Sequence, residues 1–317
     1  MTHSPPPRID PTQIDAGRTD PTRRLVIGCG YLGARAAALW HTRGDEVHVV
    51  TRSPEKAERW NHRGYHAWVA DVVATEGWQQ IPEVDTILYA VGYDRKAAPS
   101  IDDVYVGGVL RTLRQFSKWR RFVYVSSTGV YGTADGDGWV DESTPPNPQR
   151  PGGVASWHAE QALAADPRAG QAVALRMAGL YGPGRVPWSD ALQRGDALAV
   201  EPEGWLNLIH IDDAAQIVAE ATDWELDEEV DRLAVYCVSD GHPVVRRDYY
   251  TEAARLLGVD APSFAIVDPD SPAAQRARVS RRVSSAKLQK RRGYALHYPS
   301  YREGLVHALG GADTTFY

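Results

Sequence analysis

The segment that most constrains the fold is an apolar run that passes directly into closely spaced glycines, at residues 24–33 (RLVIGCGYLG). Alanine-rich sequence comes next, so the pattern predicts a strand, a tight turn and a helix. In a G-x-G-x-x-G turn, Gly28 permits the sharp bend, Gly30 lets the backbone approach a pyrophosphate, and Gly33 lets the helix pack on the strand. A glycine-rich turn that binds nothing would look the same, so the interpretation depends on whether further strands and helices alternate along the chain.

Apolar runs and helical patterns alternate through the first half of the chain. Strands are predicted at residues 46–51, 66–72, 86–91, 121–126 and 172–176, and helices at 32–41, from 54 onward and at 102–119. Strands that alternate with helices are typical of a parallel sheet covered on both faces. The sequence therefore predicts an α/β, Rossmann-type doubly wound parallel sheet, with a dinucleotide site at the turn between its first strand and first helix.

The residues after the second predicted strand indicate which dinucleotide is bound. An Asp or Glu at this point would bind the ribose 2′-hydroxyl, but residues 51–56 read TRSPEK. The guanidinium of Arg52 can hold a 2′-phosphate by paired hydrogen bonds, with help from Ser53 and Lys56. NADP (NADPH) is therefore favoured over NAD, although Arg52 is also compatible with a solvated loop residue. The ends of the next two strands are predicted to meet the adenine and to pass under the cofactor, at Asp71-Val72 and Ala90-Val91-Gly92.

The composition limits the partners and the compartment. A net charge of −6 over 317 residues argues against a nucleic-acid binder or a membrane-surface protein, which usually carry a basic excess. The two cysteines, Cys29 and Cys237, belong to no Cys/His cluster, so we expect neither a metal site nor a disulfide framework. No apolar run approaches membrane-spanning length and the N-terminus lacks the apolar core of a signal peptide, so the expected location is cytoplasmic.

Four further segments occur in order along the chain. They are VYVSSTGVYG at residues 123–132, DESTPPNP at 141–148, LRMAGLYGPG at 175–184 and NLIHIDD at 207–213. With the glycine turn, these segments give a chain that resembles the extended short-chain dehydrogenase/reductases, the NAD(P)-dependent epimerase/dehydratase group, from residue 24 to about residue 310. Several motifs in the correct order are far more specific than one glycine turn.

The resemblance implies roles for individual residues. Ser127 takes the position of the hydroxyl that hydrogen-bonds the substrate oxygen, although a serine at a strand end also commonly caps backbone groups. Tyr93, Arg185, Asn207 and His210 are expected around the substrate, with a structural histidine bonded to backbone as the preferred interpretation of His210. With the motifs above, the expected cofactor-binding residues are Gly28, Gly30, Tyr31, Leu32, Arg52, Ser53, Asp71, Val72, Ala90, Val91, Gly92, Ser126 and Ala178.

The catalytic pair that the resemblance implies is missing. Family members carry a Tyr four residues before a Lys on the helix after the acidic-proline loop, where the Lys lowers the pKa of the Tyr. When Glu160 is aligned with the usual glutamate of that helix, Gly152 takes the Tyr position and Ser156 the Lys position. No Tyr occurs at residues 132–180 and no Lys at residues 119–286, so an alignment error does not restore the pair. The chain thus resembles atypical members of the group, with proton transfer left to water, to the substrate or to an unidentified group.

The rest of the chain predicts a smaller C-terminal lobe. Residues 1–23 have no apolar periodicity and are expected to be a flexible tail. Residues 24–182 and 206–240 are expected to form the dinucleotide-binding domain, and residues 183–205 and 241–317 a lobe that, by the resemblance, covers the substrate. Helices are predicted at residues 246–257 and 300–309, an extended segment at 264–267, and a helix that ends near residue 224 and is capped by Asp212 or Asp213.

These features predict an NADP-binding, atypical short-chain dehydrogenase/reductase with redox or epimerase-like chemistry on a small polar substrate, with sugar derivatives and nucleotide sugars as options. The alternative is a cofactor-binding protein without turnover that senses redox state or binds a partner. A homodimer formed through the helices after the fourth and fifth strands would match the family. A basic run is interpreted either as a solvated helix face or as a site for an anionic substrate, and it comprises Arg276, Arg278, Arg281, Arg282, Lys287, Lys290, Arg291 and Arg292.

Overall fold

The computed structural model describes residues 21–94, 96, 99–132, 138–226, 232–265, 280–293 and 295–310. Within these residues the strands are β1 (Arg23–Ile27), β2 (Glu46–Thr51), β3 (His66–Val69), β4 (Thr86–Tyr89), β5 (Arg121–Ser127), β6 (Trp139–Val140), β7 (Ala172–Met177), β8 (Gly179–Tyr181), β9 (Trp205–Leu206), β10 (Leu208–His210), β11 (Ala234–Val238), β12 (Val244–Val245) and β13 (Arg282–Val283). The helices are α1 (Gly33–Thr42), α2 (Pro54–Asn61), α3 (Gly108–Gln115), α4 (Pro151–Ala164), α5 (Ser189–Arg194), α6 (Ile211–Ala221), α7 (Arg246–Leu257), α8 (Ala286–Arg292) and α9 (Tyr301–Gly310).

Seven strands form one parallel sheet in the order β11-β7-β5-β4-β1-β2-β3. From β1 the chain moves outward through β2 to β3, then returns to β4 on the other side of β1 and continues outward through β5 and β7. The direction therefore reverses between β1 and β4, and ligands of open α/β sheets bind outside the carboxyl ends of the strands at such a point. The predicted Rossmann-type doubly wound sheet is confirmed.

Apolar layers cover both faces of the sheet. On one face, Val26 packs in a core with Trp40 of α1 and Ile217 of α6. On the other face, Phe122 packs in a core with Leu163 of α4. Because successive strand residues point to opposite faces, these short apolar strands bury side chains on both sides, as a parallel sheet requires.

Outside the sheet, α7 and α9 have an apolar core of their own, in which Tyr249 and Leu305 are fully buried. The chain here also forms short strand pairs, with β12 antiparallel to β9 and β10 parallel to β8. The strand β13 pairs with β6, so a C-terminal segment lies beside the chain that precedes α4. The division into domains stays a prediction, and of the predicted tail, residues 1–20 lie outside the described residues, while Arg23 begins β1.

The helix predicted at residues 102–119 is shorter and begins differently. A widened π-helical turn at Asp103–Gly107 precedes α3, which ends at Gln115. The hydroxyl of Tyr89 donates a hydrogen bond to the carbonyl oxygen of Val104 at 2.5 Å, so a contact from β4 competes with regular helical bonding. By contrast, the strand predicted at residues 46–51 and the helix predicted at residues 246–257 match β2 and α7.

The expected cap of the helix after β10 is wrong. Neither Asp212 nor Asp213 caps α6; instead, Nδ1 of His210 accepts the backbone N–H of Asp212 at 3.2 Å. The carboxylate of Asp213 accepts the backbone N–H groups of His297 and Tyr298 at 2.8 and 2.9 Å. The aspartate is thus used to hold a distant segment rather than the end of its own helix.

Candidate functional site

A cavity of about 920 Å³ runs along the carboxyl ends of the sheet, across the point where the strand order reverses. From β2 to β5 it crosses three strand spacings, which corresponds to about 14 Å. All of the predicted cofactor-binding residues line this cavity, together with Ser127, Tyr93 and Arg185. The fold therefore brings residues from six separate strand ends to one site.

The glycine turn forms the middle of the cavity. Gly28 has a φ of +93°, and a Cβ there would lie 2.6 Å from the carbonyl carbon of Ala90. A Cβ at Gly33 would overlap the carbonyl oxygen of Gly28, whereas a Cβ at Gly30 would meet no atom within 4 Å. The backbone at Gly30 is thus open to a ligand that approaches closely.

Helix α1 presents its N-terminus to the same space. The first turn contains no acidic residue, and Leu32, at the cap position, makes no side-chain capping bond. The partial positive charge of a helix N-terminus favours an anion when no carboxylate neutralises it. The open turn and the start of α1 therefore fit the pyrophosphate of a dinucleotide.

At one end of the cavity, Arg52 is exposed directly after β2. The hydroxyl of Ser53 accepts the backbone N–H of Lys56 at 3.2 Å and caps α2, while Lys56 also lines the cavity. Of the lining residues here, Asp71 carries a carboxylate, and its Oδ1 accepts the N–H of Val73 at 3.1 Å. Two cations and one carboxylate thus lie around this end of the cavity.

At the other end of the cavity, Ser127 is the last residue of β5. Its Oγ accepts the backbone N–H of Gly129 at 3.0 Å and caps a short 3-10 turn at Thr128–Tyr131. The backbone-capping role considered for this serine is therefore present. This bond uses an acceptor lone pair, so the O–H of Ser127 remains able to donate to a bound molecule.

A buried polar chain lies behind Ser127. The neighbouring Ser126 donates to Oε1 of Glu160 at 2.5 Å, and Oε2 of Glu160 pairs with Nη2 of Arg176 at 2.7 Å. Arg176 also donates to the hydroxyl of Tyr131 at 2.8 Å. Desolvation by burial raises the pKa of Tyr131 above its ordinary value of 10, so this phenol stays protonated. The chain joins β5, α4 and β7 and fixes the wall of the cavity.

Helix α4 meets the cavity with small residues. Ser156 lines the cavity, is 3% exposed and is hydrogen-bonded to the hydroxyl of Tyr124. A Cβ at Gly153 would overlap the carbonyl oxygen of Gly129, so the helix passes close to the turn after Ser127. The Gly152 and Ser156 positions therefore offer no ionisable side chain to the site.

Two tyrosines from the segment after β4 also line the cavity. Tyr93 donates through its hydroxyl to the carbonyl of Pro99 at 3.3 Å. Tyr105, which the sequence reasoning missed, is half-buried and accepts the backbone N–H of Tyr93. The pattern predicted one continuous helix here and gave no reason to assign Tyr105 to the site.

Two predicted substrate residues lie outside the lining of the cavity. The side chain of Asn207 donates to the carbonyl of Arg281 at 2.9 Å and accepts the N–H of Val283 at 2.7 Å. His210 is fully buried, and burial lowers its pKa to about 3. Both side chains hold parts of the chain together, whereas Arg185 stays at the cavity with its guanidinium 5.4 Å from the ring centre of Tyr31.

His210, Asp212 and His307 place potential metal-ligand atoms within 4.8 Å of one another. Because Nδ1 of His210 accepts the Asp212 N–H, a neutral His210 carries its proton on Nε2, which lies 3.2 Å from Nδ1 of His307. This geometry is that of a histidine-to-histidine hydrogen bond.

Several residues of the basic run make hydrogen bonds or ion pairs with other parts of the chain. Nη2 of Arg281 donates to the carbonyl of Thr128 at 2.6 Å, and Arg292 pairs with Glu220 at 3.3 Å. Lys287 donates to the carbonyl of Val235 at 3.0 Å. Lys287, Lys290 and Arg291 are exposed on α8, which fits a solvated helix face, while Arg276 and Arg278 lie outside the described residues.

Across the part of the chain that the structure describes, no helix combines the length and the apolar character needed to cross a membrane.

Both the sequence and the fold are similar to those of known proteins. The sequence profile of the NAD dependent epimerase/dehydratase family matches residues 24–225. A functionally unknown conserved protein from Silicibacter pomeroyi has a similar structure at 28% identity, over 92% of this chain and 100% of that chain, with a TM-score of 0.72. No curated protein matches the sequence.

Two more distant structures share the fold. One is a UDP-glucose 4-epimerase with UDP-glucose from Thermotoga maritima, at 19% identity, over 91% of this chain and 97% of that chain, with a TM-score of 0.73. The other is a Bordetella bronchiseptica enzyme in complex with NAD and UDP, at 16% identity, over 92% and 94% of the two chains, with a TM-score of 0.75.

Proposed function

Because the chain belongs to the NAD dependent epimerase/dehydratase family, we propose that it binds NADP in preference to NAD and performs redox or epimerase-like chemistry on a small polar, sugar-derived substrate. The observation that carries the proposal is the cavity at the strand switch point, where an open glycine turn leads to Arg52 at the end of β2. When bound, the nicotinamide supplies or accepts a hydride.

The open backbone at the glycine turn and the cations after β2 support NADP binding. The backbone at Gly30 and the N-terminus of α1 receive the pyrophosphate, since a Cβ at Gly30 would meet no described atom within 4 Å and the first turn of α1 carries no acidic residue. Arg52 and Lys56 are the cations that recognise the 2′-phosphate, and Ser53, whose oxygen accepts the Lys56 N–H, keeps its O–H able to donate to the same group. A carboxylate in the place of Arg52 would repel that phosphate.

In the substrate half, Ser127 donates its O–H to the oxygen that reacts. The N–H of Gly129 fixes Oγ from below, and the chain from Ser126 to Glu160 holds the adjacent residue of β5. Preorganised donors of this kind cost little reorganisation when charge develops on the substrate oxygen.

The substrate is proposed to be a sugar derivative, with nucleotide sugars as one class. The Thermotoga maritima structure holds UDP-glucose and the Bordetella bronchiseptica structure holds UDP, which supports this class for a chain of the same fold. Arg185, on the lining of the cavity, supplies a cation for a phosphate-bearing substrate.

The cofactor assignment is tested by titrating the protein with NADPH and NADH. We expect NADPH to bind about 10- to 100-fold more tightly, as one or two charged hydrogen bonds would give. Arg52→Asp should reverse the preference. Arg63→Asp makes the same charge change at an exposed residue away from the cavity and should leave the preference intact. Equal affinity for the two cofactors that Arg52→Asp does not alter would refute the assignment.

A second candidate function is cofactor binding without turnover. It is favoured by α4, whose sequence PGGVASWHAEQALA contains neither Tyr nor Lys. A screen of carbonyl compounds and nucleotide sugars with NADPH separates the two functions. Tight NADPH binding with no NADPH consumption across the screen would select the redox-sensor or partner-binding function.

Two further parts of the proposal rest on the resemblance and the composition. The chain is proposed to act in the cytoplasm as a homodimer that associates through α3 and α4. Light scattering of the purified protein gives the mass in solution, and a monomer at micromolar concentration would contradict the dimer.

A further inference from the structure

The segment between β4 and α3 is shaped by two contacts with Tyr89. Its hydroxyl donates a hydrogen bond to the carbonyl oxygen of Val104 at 2.5 Å. A Cβ at Gly108 would overlap the hydroxyl oxygen of Tyr89 and lie 3.0 Å from the ring carbon that bears it. The helix passes this phenol through the widened turn at Asp103–Gly107, a local form that is frequent at functional sites.

Tyr105 lies in the middle of the widened turn and lines the cavity. Its phenol oxygen accepts the backbone N–H of Tyr93. Desolvation by burial raises the pKa of Tyr105 above its ordinary value of 10, so the phenol carries its proton at neutral pH. The site thus contains the protonated phenol of Tyr105. If this phenol lost its proton, the phenolate would still accept the backbone N–H of Tyr93.

Helix α4 packs against the widened segment. A Cβ at Gly152 of α4 would lie 3.9 Å from Cδ1 of Ile101, so the start of the widened segment faces the start of α4. One helical turn further along each segment are Tyr105 and Ser156, and both line the cavity. Tyr124, which is hydrogen-bonded to Ser156, belongs to the apolar core against which Tyr105 packs.

Tyr105 is also close to the strand end that carries Ser127. The partner of its phenol, Tyr93, comes after β4, and Ser127 ends β5, which is the neighbour of β4 in the sheet. Adjacent strands lie about 4.8 Å apart. Tyr105 and Ser127 both line the cavity beside these two neighbouring strands.

We propose that Tyr105 is the proton donor of this site and replaces the tyrosine that α4 lacks; this inference rests on the proposed function. As a substrate carbonyl carbon accepts the hydride from the reduced nicotinamide, Tyr105 gives its proton to the carbonyl oxygen, which Ser127 also holds. The products are the alcohol, the oxidised cofactor and a Tyr105 phenolate, which the Tyr93 N–H stabilises until it takes a proton from water in the open cavity. In the oxidative direction the same proton returns to Tyr105.

The experiment uses the full chain with all 15 tyrosines replaced by 3-fluorotyrosine. Fluorine NMR monitors the ionisation of each phenol with pH, and Tyr105→Phe identifies the Tyr105 signal by its loss. The titration is run alone, with NADP⁺ and with 2′-phospho-ADP-ribose, which keeps the phosphates but lacks the nicotinamide. Tyr249→Phe, in the core of α7 and α9, is the matched control and should keep the Tyr105 signal and its response.

We expect NADP⁺ to move the midpoint of the Tyr105 titration to lower pH, because the cationic nicotinamide ring favours the phenolate. The nicotinamide-free analogue should not do so. If both ligands bind and the Tyr105 midpoint responds to both equally, or to neither, Tyr105 does not meet the nicotinamide and the inference fails alone. If NADP⁺ does not bind at all, the proposed function fails and the inference fails with it.

A kinetic readout separates proton donation from mere contact with the cofactor. On any carbonyl compound in the screen that consumes NADPH, Tyr105→Phe should lower kcat by about 10²- to 10⁴-fold and leave KM and the NADPH affinity near their original values. An unchanged kcat in Tyr105→Phe would overturn the role.

Discussion

Glu160 and Arg176 face each other inside the molecule, with Oε2 and Nη2 2.7 Å apart and side chains that are 1% and 4% exposed. Ser126, on the wall of the cavity, donates to the same carboxylate. A buried ion pair adds little net stability as a pair, but removal of one partner leaves an uncompensated charge away from water. The pair is therefore a sensitive point behind the candidate site.

We expect Glu160→Gln to lower the free energy of unfolding by about 3–5 kcal/mol, because Gln keeps the shape and leaves the Arg176 guanidinium buried without its counterion. Urea denaturation measures the change. Glu252→Gln is the control, since Glu252 pairs with Arg255 at the surface, at 2.7 Å, and should change the stability little. Equal effects of the two substitutions would contradict this account of the pair.

Alanine substitutions at Gly28 and Gly30 should affect different properties, the first the stability of the fold and the second the binding of the cofactor. Gly28→Ala should destabilise the fold by about 1–3 kcal/mol, because its φ of +93° is unfavourable for alanine and its Cβ would collide with Ala90. Gly30→Ala should leave the stability nearly unchanged, since its Cβ meets nothing within 4 Å, yet weaken NADPH binding. Thermal unfolding and NADPH titration of both variants test this, and a folded Gly30→Ala protein with unaltered affinity would argue against the glycine turn as the pyrophosphate site.

Replacement of two buried tyrosines by phenylalanine should change the free energy of unfolding in opposite directions. The hydroxyl of Tyr249 has no hydrogen-bond partner among the described residues, so Tyr249→Phe should raise the free energy of unfolding by about 1 kcal/mol. Tyr89→Phe removes the donor to Val104 and should lower it by about 1–3 kcal/mol. Urea denaturation of the two variants gives the signs, and a destabilised Tyr249→Phe would show that its hydroxyl finds a partner in solution.

The stability should fall with decreasing pH because of His210. Burial, with smaller effects of His307, Arg35 and His297, lowers its pKa from 6.5 to about 3. Between these pH values the unfolded chain binds a proton that folded His210 does not, so the free energy of unfolding decreases by up to about 1.4 kcal/mol per pH unit as the pH falls.

Urea denaturation between pH 7 and pH 4 measures this slope. His210→Asn lacks the titrating ring but can still accept the N–H of Asp212, so the variant should lose this part of the pH dependence while it keeps the cap of α6. The same slope in both proteins would assign the pH dependence to other groups.

Local motifs predicted the sheet and the glycine turn well. Parallel strands buried on both faces appear in the sequence as short apolar runs, and β2 was predicted to the residue. The turn at Gly28, Gly30 and Gly33 depends on neighbours within one strand, one turn and one helix, so local chemistry was enough to place it.

The parts that sequence reasoning missed depend on contacts between distant segments. Tyr105 lines the cavity from a widened turn in which the neighbouring carbonyl, that of Val104, accepts the hydroxyl of Tyr89, 15 residues earlier than Val104. The structural role preferred for His210 agrees with its bond to the backbone N–H of Asp212, but Asn207, expected at the substrate, accepts the N–H of Val283 in β13. Neither contact has a periodic pattern or a spacing that a single sequence displays.

The contact of Arg281 with the turn after Ser127 has a consequence for biosynthesis. Its guanidinium holds the carbonyls of Thr128 and Gly132, at sequence separations of 153 and 149 residues, and β13 pairs with β6 beside them. Domains generally fold as units during synthesis, so contacts between distant segments form only after both segments have left the ribosome. The wall around Ser127 therefore stays incomplete until residue 281 has emerged, and chains that terminate before that residue lack this brace.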